Sequence, residues 1–188
     1  MSVVTNGSLL DDLNKFLGML HGQDDRAVVL SLASFIEETL GQLLLAYFRD
    51  CRQTRELIEG FNAPLGTLSA RIKASYAFGL VNEVQFKDME LLRKTRNAFA
   101  HDWQGVSLER NDIKSMLGQM SHYTLSPGDR KGSTPRDQLI DTITTISIEL
   151  NIFHSQLISG RTRKAPLMSF RLTALRPDGQ RPEIVEAG

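Results

Sequence analysis

Residues 84–102 read VQFKDMELLRKTRNAFAHD, and the periodicity of this stretch decides the fold. Its apolar residues recur at steps of three and four, the spacing of an amphipathic helix. On a helix advancing about 100° per residue, Met89, Leu92, Arg96 and Phe99 share one stripe. Arg96 therefore stands where an apolar residue is expected, and a guanidinium in a core-facing row needs a carboxylate or a bound anion beside it. Arg96 is accordingly expected to be largely buried. Asn97 lies one step round the helix and His101 one turn beyond Asn97, so the three residues border a sector of roughly 140° and can face one groove.

The partner for Arg96 is sought in the helix expected over residues 24–49, which is apolar on nearly every side between Thr39 and Phe48 and reads as the central helix. Glu37 and Glu38 stand there against Phe35, Ile36 and Leu40, and one of them can point inward to meet a cation. The other reading, that both are solvated, follows from the rarity of buried unpaired carboxylates.

Working outward, Ser8 can cap a first helix through residue 20, with Asp11 and Asp12 complementing the dipole of its first turn. A short helix is expected over 50–60. It closes on Asn62, Pro64 and Gly66, where Pro64 drives Ala63 out of helical geometry. Thr67 caps the next helix and Gly79 stops it; Asn82 caps the helix that carries Arg96, and Gly105 suits a left-handed turn beyond it. Another short helix is expected from Ser107 to about residue 120, and residues 126–135 are loop by composition. Ser133 or Thr134 caps a last helix through residue 158, built on Leu139, Ile143, Ile146, Leu150, Phe153 and Leu157. Its β-branched richness also suits a strand. The expected architecture is all-α: a single bundle of six to seven helices over 1–158, followed by a flexible basic tail over 159–188. The tail carries six basic residues against three acidic ones, which suits an RNA-contacting or partner-binding arm or a disordered end with no role.

Composition bounds the function. The 188 residues, 41% hydrophobic, fit one domain with a modest core. Lysines and arginines number 22 against 22 aspartates and glutamates, so no whole-chain field draws in nucleic acid or an acidic membrane. The single Cys51 excludes an intrachain disulfide framework and a thiolate cluster, which suits a reducing compartment. The first dozen residues lack a basic region followed by an apolar run, and no polar-free segment long enough to span a bilayer is found. A cytoplasmic protein without membrane contact is expected. His21, His122 and His154 have no acid or thiol at ligand spacing, so no metal and no cofactor are expected. Neither a phosphate-binding glycine loop nor a nucleophile elbow is present.

The segment FNAPLGTLSARIKASYAFGLVNEVQFKDMELLRKTRNAFAHDW resembles the mannitol operon repressor family of bacterial regulators. The spacing of Arg96, Asn97, Ala98, Phe99, Ala100 and His101 resembles the Arg-x4-His signature of the wider HEPN superfamily. Both resemblances imply a helical bundle that forms a homodimer, with the two Arg-x4-His helices near the twofold axis and a cleft shared between them. Many HEPN proteins are metal-independent endoribonucleases of toxin or defence systems, paired with an antitoxin; others are binding modules. The repressor family is described as regulating transcription.

Two functional classes follow. In a ribonuclease, Arg96, Asn97 and His101 are the catalytic set: His101 moves protons to and from the reacting oxygens, Arg96 stabilises the phosphorane charge, and Asn97 positions the phosphate or orients the imidazole. Glu37, Glu38 and Asp102 support the set, and Trp103 can stack a base or pack over the core. In a regulator the same trio is structural, with Arg96 paired to Glu37 or Glu38 and His101 complementing the helix dipole. Action is then through a regulatory protein partner. Neutral charge and the lack of a recognition helix argue against direct sequence-specific DNA binding.

Overall fold

The computed structural model describes residues 6–102, 105–121 and 134–160. Within them lie seven helices and no strand: α1 (Asn6–Leu20), α2 (Asp25–Tyr47), α3 (Arg52–Ile58), α4 (Leu68–Ala77), α5 (Glu83–His101), α6 (Asn111–Leu117) and α7 (Pro135–Ile158). The basic tail beyond residue 160, most of the 126–135 loop and Trp103 lie outside the described residues.

The helix starts follow from their capping chemistry. Asp24 accepts from Ala27 N at 2.8 Å, and Thr67 accepts from Ala70 N at 3.3 Å. Asn82 and Gln85 form a reciprocal capping box at 2.9 and 3.0 Å, and Thr134 with Asp137 forms another. Each satisfies amide donors that the first helical turn leaves without an internal partner. Gly79 ends α4 at φ +69, a conformation that costs glycine little. The two short helices are shorter than the sequence suggests, and α1 begins ahead of Ser8, which lies within the helix. The β-branched run of α7 is helical throughout, because Leu139, Ile143, Ile146, Leu150 and Phe153 all enter the core and that tertiary gain overrides local strand preference.

At the centre, α2 packs against α7, α5, α4, α3 and α1. Val28, Val29, Leu32, Ile36, Leu40, Leu43 and Leu44 are essentially inaccessible to water, which accounts for an apolar pattern on nearly all sides. By length and composition α2 is also apolar enough to cross a membrane, although it is not free of polar residues, carrying Glu37, Glu38 and Gln42; here its apolar surface is used in packing against other helices. Phe16 stacks on Phe35 with ring centroids 4.3 Å apart and attaches α1 to α2. Arg136 at the start of α7 donates to Leu20 O, Gln23 O and Asp25 Oδ1, while Asp25 Oδ2 accepts from Leu108 N. One carboxylate thus fixes the beginnings of α2 and α7 and the segment before α6 relative to one another.

Candidate functional site, a groove between α4 and α5

The second half of α5 runs beside the first turn of α4. Between them lies an open groove of about 220 Å³, lined by Glu37 of α2, by Thr67, Leu68 and Ser69 at the start of α4, and by Arg93, Arg96 and Asn97 of α5. Arg96 and Asn97 come together as the sequence suggests: Arg96 Nη1 donates to Asn97 Oδ1 at 3.3 Å.

Arg96 itself is exposed, which corrects the expectation of burial. Met89, Leu92 and Phe99 on the same stripe are fully buried, so the stripe is real and is covered on both sides of Arg96. Between Leu92 and Phe99 the inward position is taken by Thr95, and Arg96, about 100° further round the helix, lies on the groove side. The inward polar residue one position earlier is Thr95, fully buried, whose hydroxyl donates to Leu91 O at 2.9 Å. The proposed carboxylate partners are corrected too. Glu38 is exposed and accepts from Gln42 at 2.8 Å. Glu37 is half-buried in the groove wall, yet no ion pair joins it to Arg96 among the described residues.

The two arginines differ in charge balance. Arg93 makes a bidentate contact with Glu90, at 3.0 and 2.9 Å, and this hydrogen bonding holds the Glu90 carboxyl below the usual carboxylate range despite partial burial. Arg96 has only a neutral amide oxygen as its recorded partner. Among the described residues Arg96 and Glu37 are thus the groove charges without an ion pair.

His101 is exposed in the last turn of α5, where a cation complements the helix dipole, and it does not line the groove. Asp102 caps the helix. Its carboxylate pairs with Arg110 at 2.7 Å, and its backbone oxygen accepts from Arg26 Nη2. Asp102 thus fixes the chain leaving α5.

The sequence reading missed Arg71 of α4. Its guanidinium donates to three backbone carbonyls, Leu65 at 2.9 Å, Glu37 at 2.7 Å and Ile58 at 3.0 Å, tying the α3–α4 loop and α4 to α2. The available signal was Gly41: a glycine inside a long helix is unfavourable locally and marks a close approach. Among the described residues no cluster of three or more His, Cys, Asp or Glu is placed to hold a metal.

The fold and site define a class: an all-α bundle built round one apolar helix, with a polar surface groove beside the end of its Arg-bearing helix. No family model matches the chain. It is 28% identical over 112 residues to the mannitol operon repressor of Escherichia coli strain K12, and equally to that of E. coli O6:H1 strain CFT073. The match covers 57% of this chain and 57% of each relative, so it spans little more than half the length of the curated relatives. A chain of the X-ray structure of the MtlR-HPr complex from E. coli has the same fold, with a TM-score of 0.62, 23% identity, and coverage of 73% of this chain and 97% of that one.

Proposed function

We propose that this chain is a non-catalytic regulator of the mannitol repressor type, acting through a protein partner, and that HPr is that partner. The observation that carries the reading is the agreement in fold over 97% of a chain from an MtlR-HPr complex, together with likeness to proteins named as mannitol operon repressors. The site chemistry suits the reading. An open groove that presents the Arg96 guanidinium, the Glu37 carboxylate, amide and hydroxyl groups and a neutralised second arginine can recognise a protein surface, where arginine is a frequent contributor. A calorimetric titration of HPr into the full chain tests it: saturable binding is expected, and no heat of binding at hundreds of micromolar would overturn it.

A second reading, a metal-independent endoribonuclease, draws on the exposure of Arg96 and His101. It needs His101 of two copies to meet across a twofold interface, since within one chain His101 lies off the groove that holds Arg96 and Asn97. Mapping the dimer contact by cross-linking through His101→Cys tests that requirement.

A further inference from the structure

One end of the bundle carries an aromatic surface that the described residues leave partly uncovered. Tyr47 and Phe48 at the end of α2 and Phe78 at the end of α4 form a ring triad: Phe48 meets Phe78 edge to face at 5.3 Å, and Tyr47 lies 5.9 Å from each. Phe78 is 45% exposed, and Tyr47 and Phe48 are half-buried. Aromatic rings are among the largest apolar groups a chain has to bury, and here one side of the cluster meets water.

The chain leaves α7 at this same end. Arg136 fixes the start of α7 to the start of α2. Asp102, at the end of α5, meets Arg26 at the start of α2, while Gln85, in the first turn of α5, meets Glu149 of α7 at 2.7 Å. The last turns of α7 therefore run toward the end of α2. Ile158 in the final turn is 63% exposed, and Gly160 follows. Beyond it, residues 161–164 (RTRK) are a basic spacer, and residues 167–175 (LMSFRLTAL) hold five large apolar side chains, Leu167, Met168, Phe170, Leu172 and Leu175. Met168, Phe170 and Leu172 alternate with Ser169, Arg171 and Thr173, the pattern of an extended segment that buries one face. From Gly160 to Leu167 the chain can reach about 25 Å. Since α7 packs on α2 and α2 on α4, the triad lies two helix spacings away, roughly 16–20 Å. A segment tethered within reach of a site acts at an effective concentration on the order of millimolar, far above that at which a second copy in dilute solution offers the same segment.

We infer that residues 167–175 dock back on the Tyr47–Phe48–Phe78 surface of their own chain, so that the exposed rings and the apolar run cover one another. The test is limited trypsin digestion of the full chain as wild type, Phe78→Asp and Met168→Asp, followed by mass spectrometry, with thermal melts of all three. Trypsin cuts after Lys164 in the spacer and after Arg171 inside the docked segment, whereas Arg176 and Arg181 precede prolines and resist. Cutting after Arg171 is expected to be roughly tenfold slower in wild type than in either variant, because cleavage follows the population of the undocked form. Cutting after Lys164 should be alike in all three, and the protection of Arg171 should not change on dilution. Met168→Asp alters only the docking segment, so it decides the matter where Phe78→Asp lowers the melting temperature. Equal cutting after Arg171 in wild type and Met168→Asp would overturn the inference. Protection that fades on dilution would assign the surface to a second copy and overturn it as well.

Discussion

Gly41 and Arg71 share one space: a Cβ on Gly41 would lie 2.7 Å from Arg71 Nη1 and 3.0 Å from its Cζ. The guanidinium is the mobile end of a long side chain, but here three carbonyls hold it. It cannot retreat without breaking those bonds.

Gly41→Ala is therefore expected to destabilise the fold by about 1–3 kcal/mol, the usual cost of overpacking. Arg71→Met leaves three carbonyls without their charged donor and is expected to cost about 3 kcal/mol. The double variant should cost less than the sum, because the methyl group then has no guanidinium to displace. Urea denaturation of all four proteins measures the cycle; strict additivity would show that the two residues do not interact.

Much of the fold was legible before any coordinates. Thr67 and Asn82 each cap the helix assigned to them, and Thr134, one of the two residues expected for it, caps the last, since a capping side chain acts within three residues and leaves its signature locally. That Arg96 and Asn97 share one groove was legible, but not the exposure of Arg96. A helical projection places Arg96 beside Leu92 and Phe99 but does not show which edge of the stripe its neighbours cover; here Thr95 takes the inward position and Arg96 the groove side. His101 separated from the groove for a related reason, being a full turn nearer the helix end. Arg71 was not legible as the tie between the α3–α4 loop and α2, because it acts through carbonyls distant in sequence.

Glu149 of α7 gives a pH signature. Burial pushes its carboxyl above the ordinary range, partly opposed by the hydrogen bond from Gln85 Nε2 at 2.7 Å, and its Oε1 is buried without a partner. Unfolded glutamate titrates near about 4.3, so from there to the raised folded value the native state holds more protons than the unfolded state. Stability falls as pH rises through that window. Glu149→Gln, which keeps an acceptor for Gln85, should match wild type near pH 4 and gain on it as pH approaches 7. A gap that is constant with pH would contradict this.

His154 has the opposite sign. Burial pushes its imidazole below the ordinary value, so the folded state binds fewer protons than the unfolded state, whose histidine titrates near about 6.5. Stability contributed by the neutral ring is present above that value and is lost as pH falls through the lowered folded pKa. His154→Gln is expected to flatten this acid limb in denaturation curves between pH 7 and 5; an unaltered limb would place the loss elsewhere.

On single-stranded RNA in excess EDTA, the purified chain is expected to be inert, as a regulator should be. Gel analysis of fragments and their termini provides the check. Cleavage leaving 2′,3′-cyclic phosphate ends, lost in His101→Ala with the helical circular dichroism spectrum intact, would establish the ribonuclease reading; losing a positioned acid or base costs about 10²–10⁴-fold.

The most direct measurement of the partner reading is calorimetric titration of HPr into wild type and Arg96→Ala in parallel. Because Arg96 is exposed and, among the described residues, held by Asn97 alone, its removal should leave the melting temperature unchanged. Saturable binding by wild type, weakened roughly tenfold or more in the variant, is the expected result. No binding by wild type would contradict the partner reading, and equal binding by both would contradict the role of the groove.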